Sequence, residues 1–331
     1  MNTNPEISVV IPVYNAEDTI LSLIQSILKE SNVTFEIIIV NDGSTDNTGN
    51  VLRSLEDDNI IIIEQENKGV YAARNAALAV HRGEWLVFLD ADDTVEDGFL
   101  SQRLLTARQH QADVVIFNAD RLTFDSPVLY PVHKKQLYGK NISGHEWIRH
   151  CVTYKEWPHY LWLQIIKSDY IKSINLRFQE GKSHKDILWT ICLATANGVF
   201  HITNIKDYIY IQNNTSITNR KDYFDVRAES YVDIISYIIM LSEKEENRKV
   251  RSFLVKHALV ESRHFLGLYR KKVSNRQSVA NLFRKKIPFK KLLFGVSNLS
   301  DLFFLSKLAW KMLLICNAVD SENDKGYVSE K

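Results

Sequence analysis

Four short apolar runs near the start of this chain, each ending in polar side chains, constrain its fold more than any other feature. They are Ile7 to Pro12, Phe35 to Val40, Ile60 to Ile63 and Trp85 to Leu89. Continuous, mostly branched runs of this length fit strands buried on both faces. Between them the spacing turns helical. Ala16 to Leu28 places Ile20, Leu23, Ile24 and Ile27 on one side. A second helix, with Thr45 as its expected cap, carries Val51, Leu52 and Leu55, and a third spans Gly69 to Val80. A fifth strand is expected over Asp113 to Phe117. Such a βαβαβαβ series with short connections predicts an α/β fold, a mostly parallel sheet with helices on both faces. Parallel strands would bring Tyr14-Asn15, Asn41-Asp42, Lys68-Gly69 and the acids from Asp90 onward together along one edge, as a nucleotide-type crevice.

The acids themselves, Asp90-Ala91-Asp92-Asp93, follow directly on the fourth run. Clustered carboxylates repel, and a hard divalent cation among them removes the repulsion. Asp90 and Asp92 are two apart, so an extended backbone would aim both at one ion or ligand. The chain contains neither GxGxxG nor GxxxxGK[ST], so no glycine-rich loop of those kinds handles phosphate. The acidic cluster with a metal is the natural substitute.

The bulk properties are those of a globular protein. Charged residues make up 24% and hydrophobic ones 45% of 331 residues, which argues against wholesale disorder. Cys151, Cys192 and Cys316 are far apart and form no CxxC, which points to a reducing compartment with neither a disulfide framework nor a zinc site. The polar start, Met1 to Glu6, lacks the basic region of a signal peptide, and no apolar run reaches the roughly 18 residues needed to span a bilayer. The net charge of +1 conceals an asymmetry. Residues 263–311 hold twelve Lys and Arg against the single acid Asp301, a local +11, which leaves −10 for the remainder.

Four ordered motifs are more specific. Val10-Ile11-Pro12-Val13-Tyr14-Asn15, Val40-Asn41-Asp42-Gly43-Ser44-Thr45-Asp46, Asn67-Lys68-Gly69-Val70-Tyr71-Ala72-Ala73-Arg74-Asn75 and Phe88-Leu89-Asp90-Ala91-Asp92-Asp93 resemble those of family 2 glycosyltransferases. These are inverting enzymes of the GT-A fold that use nucleotide-diphosphate sugars. The resemblance implies that Pro12, Tyr14 and Asp42 hold uracil and ribose, with Asn15, Lys68 and Gly69 in the same nucleotide-sugar site. It places Arg74 close to the base or diphosphate. Asp90 would reach the ribose or a metal-bound water, and Asp92 would ligate Mn2+ or Mg2+. Family-level similarity covers about residues 5–220, with residues 5–120 for the nucleotide-sugar and 121–220 for the acceptor.

In the acceptor part, Trp157-Pro158-His159-Tyr160-Leu161-Trp162 is rich in aromatic faces that suit sugar rings, and Trp157 or Trp162 is expected in the acceptor cleft. Gly181 to Trp189 reads as a loop leading into a helix packed through Ile187, Leu188, Ile191, Leu193 and Ala194. In many relatives a Glu-Asp pair stands here whose Asp is the general base; this chain has Lys185-Asp186, so Asp186 keeps the base position, while His184 is the rival base and a further acceptor-side candidate. Relatives also often read Tyr-x-Tyr-Arg where this chain has Tyr208-Ile209-Tyr210-Ile211; Arg220 or Lys221 is the expected substitute for the missing cation. The stretch from Trp157 to Ser216 resembles, more narrowly, enterobacterial lipopolysaccharide-core glucosyl- and glucuronosyltransferases.

Residues 221–318 are expected to be helical and basic, with Val232, Ile235, Tyr237 and Ile238 at apolar spacing, and 319–331 to form a disordered tail. Phe283 to Phe294 mixes cations with large apolar residues, which fits an anionic membrane surface, and no nucleic-acid motif accompanies it. The reading is thus a metal-dependent hexosyltransferase, peripheral on the inner face of a bacterial cytoplasmic membrane. It would move glucose, or next glucuronic acid, from a UDP-sugar to a lipopolysaccharide core. A lipid-pyrophosphate acceptor for O-antigen or capsule, a nucleotidyltransferase, and an inactive scaffold are the alternatives. Val13-Tyr14-Asn15-Ala16-Glu17-Asp18 lacks the glycine- and lysine-rich signature a nucleotidyltransferase would want.

Overall fold

A computed structural model describes residues 4–123, 126–181, 183–211 and 223–323. The chain divides into two compact units, residues 1–181 with 185–214, and residues 182–184 with 215–331.

The first unit follows the expected alternation. Its elements are β1 Ile7–Val13, α1 Ile20–Ile27, β2 Phe35–Asp42, α2 Thr48–Arg53, β3 Ile60–Gln65, α3 Val70–Val80, β4 Trp85–Phe88 and α4 Phe99–Gln109. There follow β5 Val114–Thr123, β6 Ser126–Pro131, β7 Lys140–Ser143, α5 Gly144–Tyr154, β8 Gln164–Lys167, α6 Ser168–Ser173, α7 Asp186–Thr195 and β9 Val199–Ile211. The sheet runs β3-β2-β1-β4-β8-β5-β9-β7, with β6 beside β5. β1 and β2 are buried along their whole length, which is why their sequences are continuously apolar rather than alternating.

Two details differ from the periodicity. β5 points the same way as β4 but is not its neighbour, because β8 inserts between them antiparallel to both. A four-residue strand of sequence Gln-Ile-Ile-Lys is too short to announce itself, yet its first three residues are buried in the sheet. Thr45 does not cap α2. Its amide donates to Asn15 Oδ1 at 2.8 Å, and the first amide of α2, on Thr48, is accepted by Asp46 Oδ1 at 3.0 Å.

Arg103 of α4 fastens the later strands to this sheet. Its side chain is fully buried between the rings of Phe99 and Phe117 and binds Asp207 of β9 through two bonds of 2.7 and 2.9 Å. A forked guanidinium matched to a carboxylate in this way satisfies two buried charges at once.

The second unit is helical: α8 Tyr223–Lys244, α9 Arg248–Lys271, α10 Arg276–Lys286, the short α11 Phe289–Leu292, and α12 Leu299–Asn323. Asn247 caps α9 by accepting the amides of Lys249 and Val250. Val232, Ile235 and Ile238 are buried as their spacing requires, and Tyr237 is half-buried. Helix α12 continues to Asn323, so residues 319–323 are helical where a disordered tail was expected; residues 324–331 lie outside the described residues.

Removing Asp207 alone would strand the Arg103 charge in the core. Asp207→Ala is expected to lower stability by about 3–5 kcal/mol, the usual cost of breaking a buried pair, measured by urea unfolding followed by far-UV circular dichroism.

Candidate functional site

The strand register lines up one edge of the sheet. Val13 lies beside Asn41, Asp42 beside Gln65, and Val10 beside Phe88, so β1 to β4 all end at the same side. The order β3-β2-β1-β4 reverses direction at β1, and a crevice opens outside the strand ends at such a point. Pro12 is buried in β1, paired with Val40, while Tyr14 just beyond it is 44% exposed. Asn15 adopts a left-handed φ of 53° and donates its amide to Ser44 Oγ at 3.0 Å, which joins the first two polar clusters.

Asp42 joins the second cluster to the third. Its carboxylate is buried. Oδ1 accepts the Lys68 amide (2.8 Å) and Gln65 Nε2 (2.6 Å), and Oδ2 accepts the Gly69 amide (2.8 Å). These amides precede the first turn of α3, so the carboxylate faces the positive end of that helix. The loop needs both glycines. Gly69 has φ of 90°, and Gly43 has φ of 71° with a Cβ position only 2.8 Å from the Asn67 nitrogen. The Lys68 side chain points to solvent.

Helix α3 then presents three polar side chains on one face. Tyr71 is buried, accepts the Lys185 amide at 2.9 Å and donates to Asp186 Oδ1 at 3.2 Å. Burial, reinforced by the Asp186 charge, pushes the Tyr71 phenol far above its ordinary value. Arg74, one turn on, is buried against the rings of Tyr71 and Phe178 and pairs with Asp90 at 2.7 Å. Asn75 clamps the backbone of Phe178 in both directions, at 2.9 Å each. Phe178 stacks on Trp189 of α7 with ring centroids 4.0 Å apart, fixing the loop that delivers Asp186.

The acidic cluster is a tight turn, because β4 stops at Phe88 and the period-two argument for Asp90 and Asp92 no longer applies there. Asp93 closes the turn. Its amide donates to Asp90 O at 3.0 Å, its Oδ2 accepts the Asp90 amide at 2.7 Å, and its Oδ1 takes a short hydrogen bond from Tyr208. Thr19 ties the turn to α1 by donating to Ala91 O at 2.9 Å. Asp90 therefore turns toward Arg74 while Asp92 is exposed, with no hydrogen-bond partner among the described residues. Crowding by protein, opposed by Arg74 and reinforced by Asp92 and Asp186, raises the Asp90 carboxyl above its ordinary range. Desolvation, with the nearby Asp90 charge, pushes Asp93 up further. Asp186 is thus within electrostatic reach of the acidic turn. Among the described residues no group of three His, Cys, Asp or Glu side chains could hold a metal ion. Among the described residues the acidic turn offers an ion the exposed Asp92 carboxylate, a donor suited to a cation that also takes substrate phosphates and water.

Asp186 is the first residue of α7 and keeps its Oδ2 free of any hydrogen bond among the described residues, with His159 Nε2 4.0 Å away. His159 is itself oriented through Nδ1 and Trp157 O, 2.9 Å apart. Nothing in the spacing singled out His159. Tyr71, Arg74 and Asn75 were findable as polar residues at i, i+3 and i+4 of a helix whose other members are apolar.

The remaining candidates fall elsewhere. Trp162 is buried in the core, stacked on Tyr208 at 4.2 Å and on Tyr160 at 5.0 Å, so neither of its faces is open to a sugar. Trp157 is half-buried beside Trp147. His184 belongs to the helical unit, where its ring lies against Tyr231 of α8. Ile211 ends β9, and Arg220 and Lys221 lie outside the described residues.

Known proteins share this architecture. Residues 8–159 match Glycosyl transferase family 2. The uncharacterized glycosyltransferase YibD of Escherichia coli (strain K12) is 30% identical over 223 residues, 66% of this chain and 64% of YibD, so the match spans just under two thirds of that relative. The succinoglycan biosynthesis protein ExoO of Rhizobium meliloti (strain 1021) is 26% identical over 80% of this chain and 76% of its own length. S. aureus TarS 1-349, crystallised in complex with UDP-GlcNAc, superposes with a TM-score of 0.69 at 19% identity over 97% of this chain and 92% of that chain, a likeness of fold. The motifs of residues 8–159, the relatives and the GT-A-like sheet agree: residues 8–159 of this chain form a glycosyl transferase family 2 domain.

Proposed function

We propose that this chain transfers a hexose from a UDP-sugar to a surface-glycan acceptor in one inverting displacement, with Asp186 as general base. The observation that carries this is the reach of α3. One helix face holds Asp186 through Tyr71 and the acidic turn through Arg74, so base and donor site are parts of one rigid construction. Inversion needs a base on the side of the sugar opposite the nucleotide. The acceptor hydroxyl would give its proton to Asp186 Oδ2 as its oxygen attacks the anomeric carbon. The bond from that carbon to the diphosphate breaks, and UDP leaves. Tyr71 holds the other carboxylate oxygen, so the group is oriented before the acceptor arrives. His159 is close enough to share that task.

On the donor side, Pro12, Tyr14, Asn15, Asp42, Lys68 and Gly69 would form the nucleotide-sugar site. Asp42 would contribute chiefly by fixing the loop whose amides it binds. Asp90, held by Arg74, would face the ribose or a metal-bound water. Asp92 would hold Mn2+ or Mg2+, which when bound offsets the charge of the departing diphosphate. Trp157 remains the candidate for the acceptor side; buried Trp162 does not. The sugar is proposed as glucose, then glucuronic acid. The acceptor is proposed as a lipopolysaccharide core or a lipid-linked glycan at the cytoplasmic face of the membrane. The succinoglycan biosynthesis named for ExoO and the UDP-GlcNAc in the TarS complex support this reading.

Asp186→Asn is nearly isosteric and should leave UDP affinity unchanged while lowering kcat for UDP release by about 10²–10⁴-fold, the usual size of a general-base contribution. Tyr71→Phe should lower kcat by about tenfold with the same UDP affinity, from the loss of one hydrogen bond to a charged group. Loss of UDP binding in Asp186→Asn would make Asp186 a donor ligand or a structural residue.

Asp92→Ala should remove the dependence of UDP affinity on Mn2+, measured by titration calorimetry with the ion and with EDTA. A variant that still binds UDP more tightly with Mn2+ than without it would show that the ion is held elsewhere.

A further inference from the structure

Helix α12 is apolar on two opposite faces, and among the described residues only one of them is covered. Phe304, Leu305, Leu308 and Met312 are buried within the helical unit. On the other side Leu299 is 84% exposed, Phe303 73% and Trp310 56%. Spacings of four and seven place these three side chains within a narrow stripe, about 16 Å long at the helical rise of about 1.5 Å per residue. Leu302 beside them adds to the ridge at 46% exposure, and Phe294 in the turn before the helix is 73% exposed. A solvated helix puts polar groups on its outer face, whereas here exposed Ser306 stands among large apolar side chains.

The charge around the ridge names its partner. Trp310 carries Lys311 over its ring, 4.9 Å from the centroid. Lys311 also lines a cavity of about 550 Å³ shared with Arg270, Arg276, Ser274 and Asn275, with no acid among its lining in the described residues, although Asp225 accepts the Ser274 and Asn275 amides. Of the twelve cations in residues 263–311, Arg263, Lys286 and Lys291 are neutralised by Asp301, Asp233 and Glu243. Arg270, Lys290, Lys307 and Lys311 have no carboxylate partner among the described residues. A second copy of the chain would bring the same excess of positive charge to this face. Among the described residues no helix is long and apolar enough to cross a membrane.

We infer that the exposed stripe of α12 lies in the surface of an anionic phospholipid bilayer, with Leu299 and Phe303 among the lipid chains, Trp310 at the depth of the headgroups and the Arg270–Arg276–Lys311 cavity seating a lipid phosphate. This deepens the proposed function, since it states how a transferase acting on lipid-linked glycan stays at its acceptor, and it rests on that reading only for its purpose. Trp at the depth of the headgroups and cations around it are the usual composition of an interfacial helix. Each surface-proximal cation contributes roughly fivefold in affinity at modest ionic strength, and salt screens that attraction.

The full-length chain should sediment with phosphatidylcholine vesicles that contain phosphatidylglycerol, and with phosphatidylcholine alone at least tenfold more weakly. Phe303→Ser with Trp310→Ser should weaken binding to the anionic vesicles at least tenfold at unchanged circular dichroism. Arg270→Glu with Lys311→Glu should do the same and should also abolish the preference for phosphatidylglycerol. Trp310 fluorescence should shift to the blue on binding, a shift absent in Trp310→Phe. Equal binding to neutral and anionic vesicles would overturn the inference, as would unchanged affinity in the serine double variant. So would a wild-type dimer in sedimentation velocity that the same variant dissociates, since a second copy would then own the face. The assay involves no sugar nucleotide, so its failure leaves the transferase reading standing, and loss of transfer in Asp186→Asn leaves the docking reading standing.

Discussion

The buried carboxylate of Asp42 is the constraint on which the site depends. It takes the amides of Lys68 and Gly69 and so fixes where α3 begins and how it is rotated. A helix has little freedom once its first turn is pinned. Three residues further along the chain, each amino acid returns to nearly the same face. Tyr71, Arg74 and Asn75 are therefore aimed by a contact made outside the helix, one to Asp186, one to Asp90 and one to the loop at Phe178. Neither the acidic turn nor the start of α7 needs an interaction of its own with the other.

This arrangement accounts for the unusual polarity of a buried helix face. Arg74 is desolvated against Tyr71 and Phe178, and such a charge is tolerable only with a carboxylate partner. Asp90 supplies it, and Asp93 in turn closes the loop that presents Asp90. Of the three acids Asp90 is committed to Arg74 and Asp93 to the turn's own construction, which leaves Asp92 exposed. The repulsion that clustered carboxylates imply is relieved here in part by Arg74 and by the hydrogen bonds to Asp93, without requiring that all three face one ion.

Legibility in the sequence followed the range of the interactions. The series from β1 to β4 could be read because β1, β2 and β4 are buried along their whole length and the half-buried edge strand β3 keeps the same branched apolar run, with α1 carrying a clear apolar stripe between β1 and β2. The convergence of the polar clusters followed from parallel strands alone. β8 could not be read, since its four residues owe their place to neighbours on both sides rather than to any pattern of their own. Trp162 and His159 show the same limit within one aromatic segment. Spacing cannot tell which ring enters a stack with Tyr208 and which imidazole turns toward Asp186. Thr45 looked like a cap because only the local sequence was visible, whereas its partner is Asn15 on another strand end.

The central claim is a single displacement in which one base serves one face of the sugar. It is tested most directly by the configuration of the first product formed when the enzyme hydrolyses an α-linked UDP-hexose, followed by proton NMR faster than the free sugar mutarotates. The β anomer should appear first and decay toward equilibrium with the α anomer. Initial formation of the α anomer would contradict the account, because it requires either a covalent intermediate or attack from the side of the departing nucleotide.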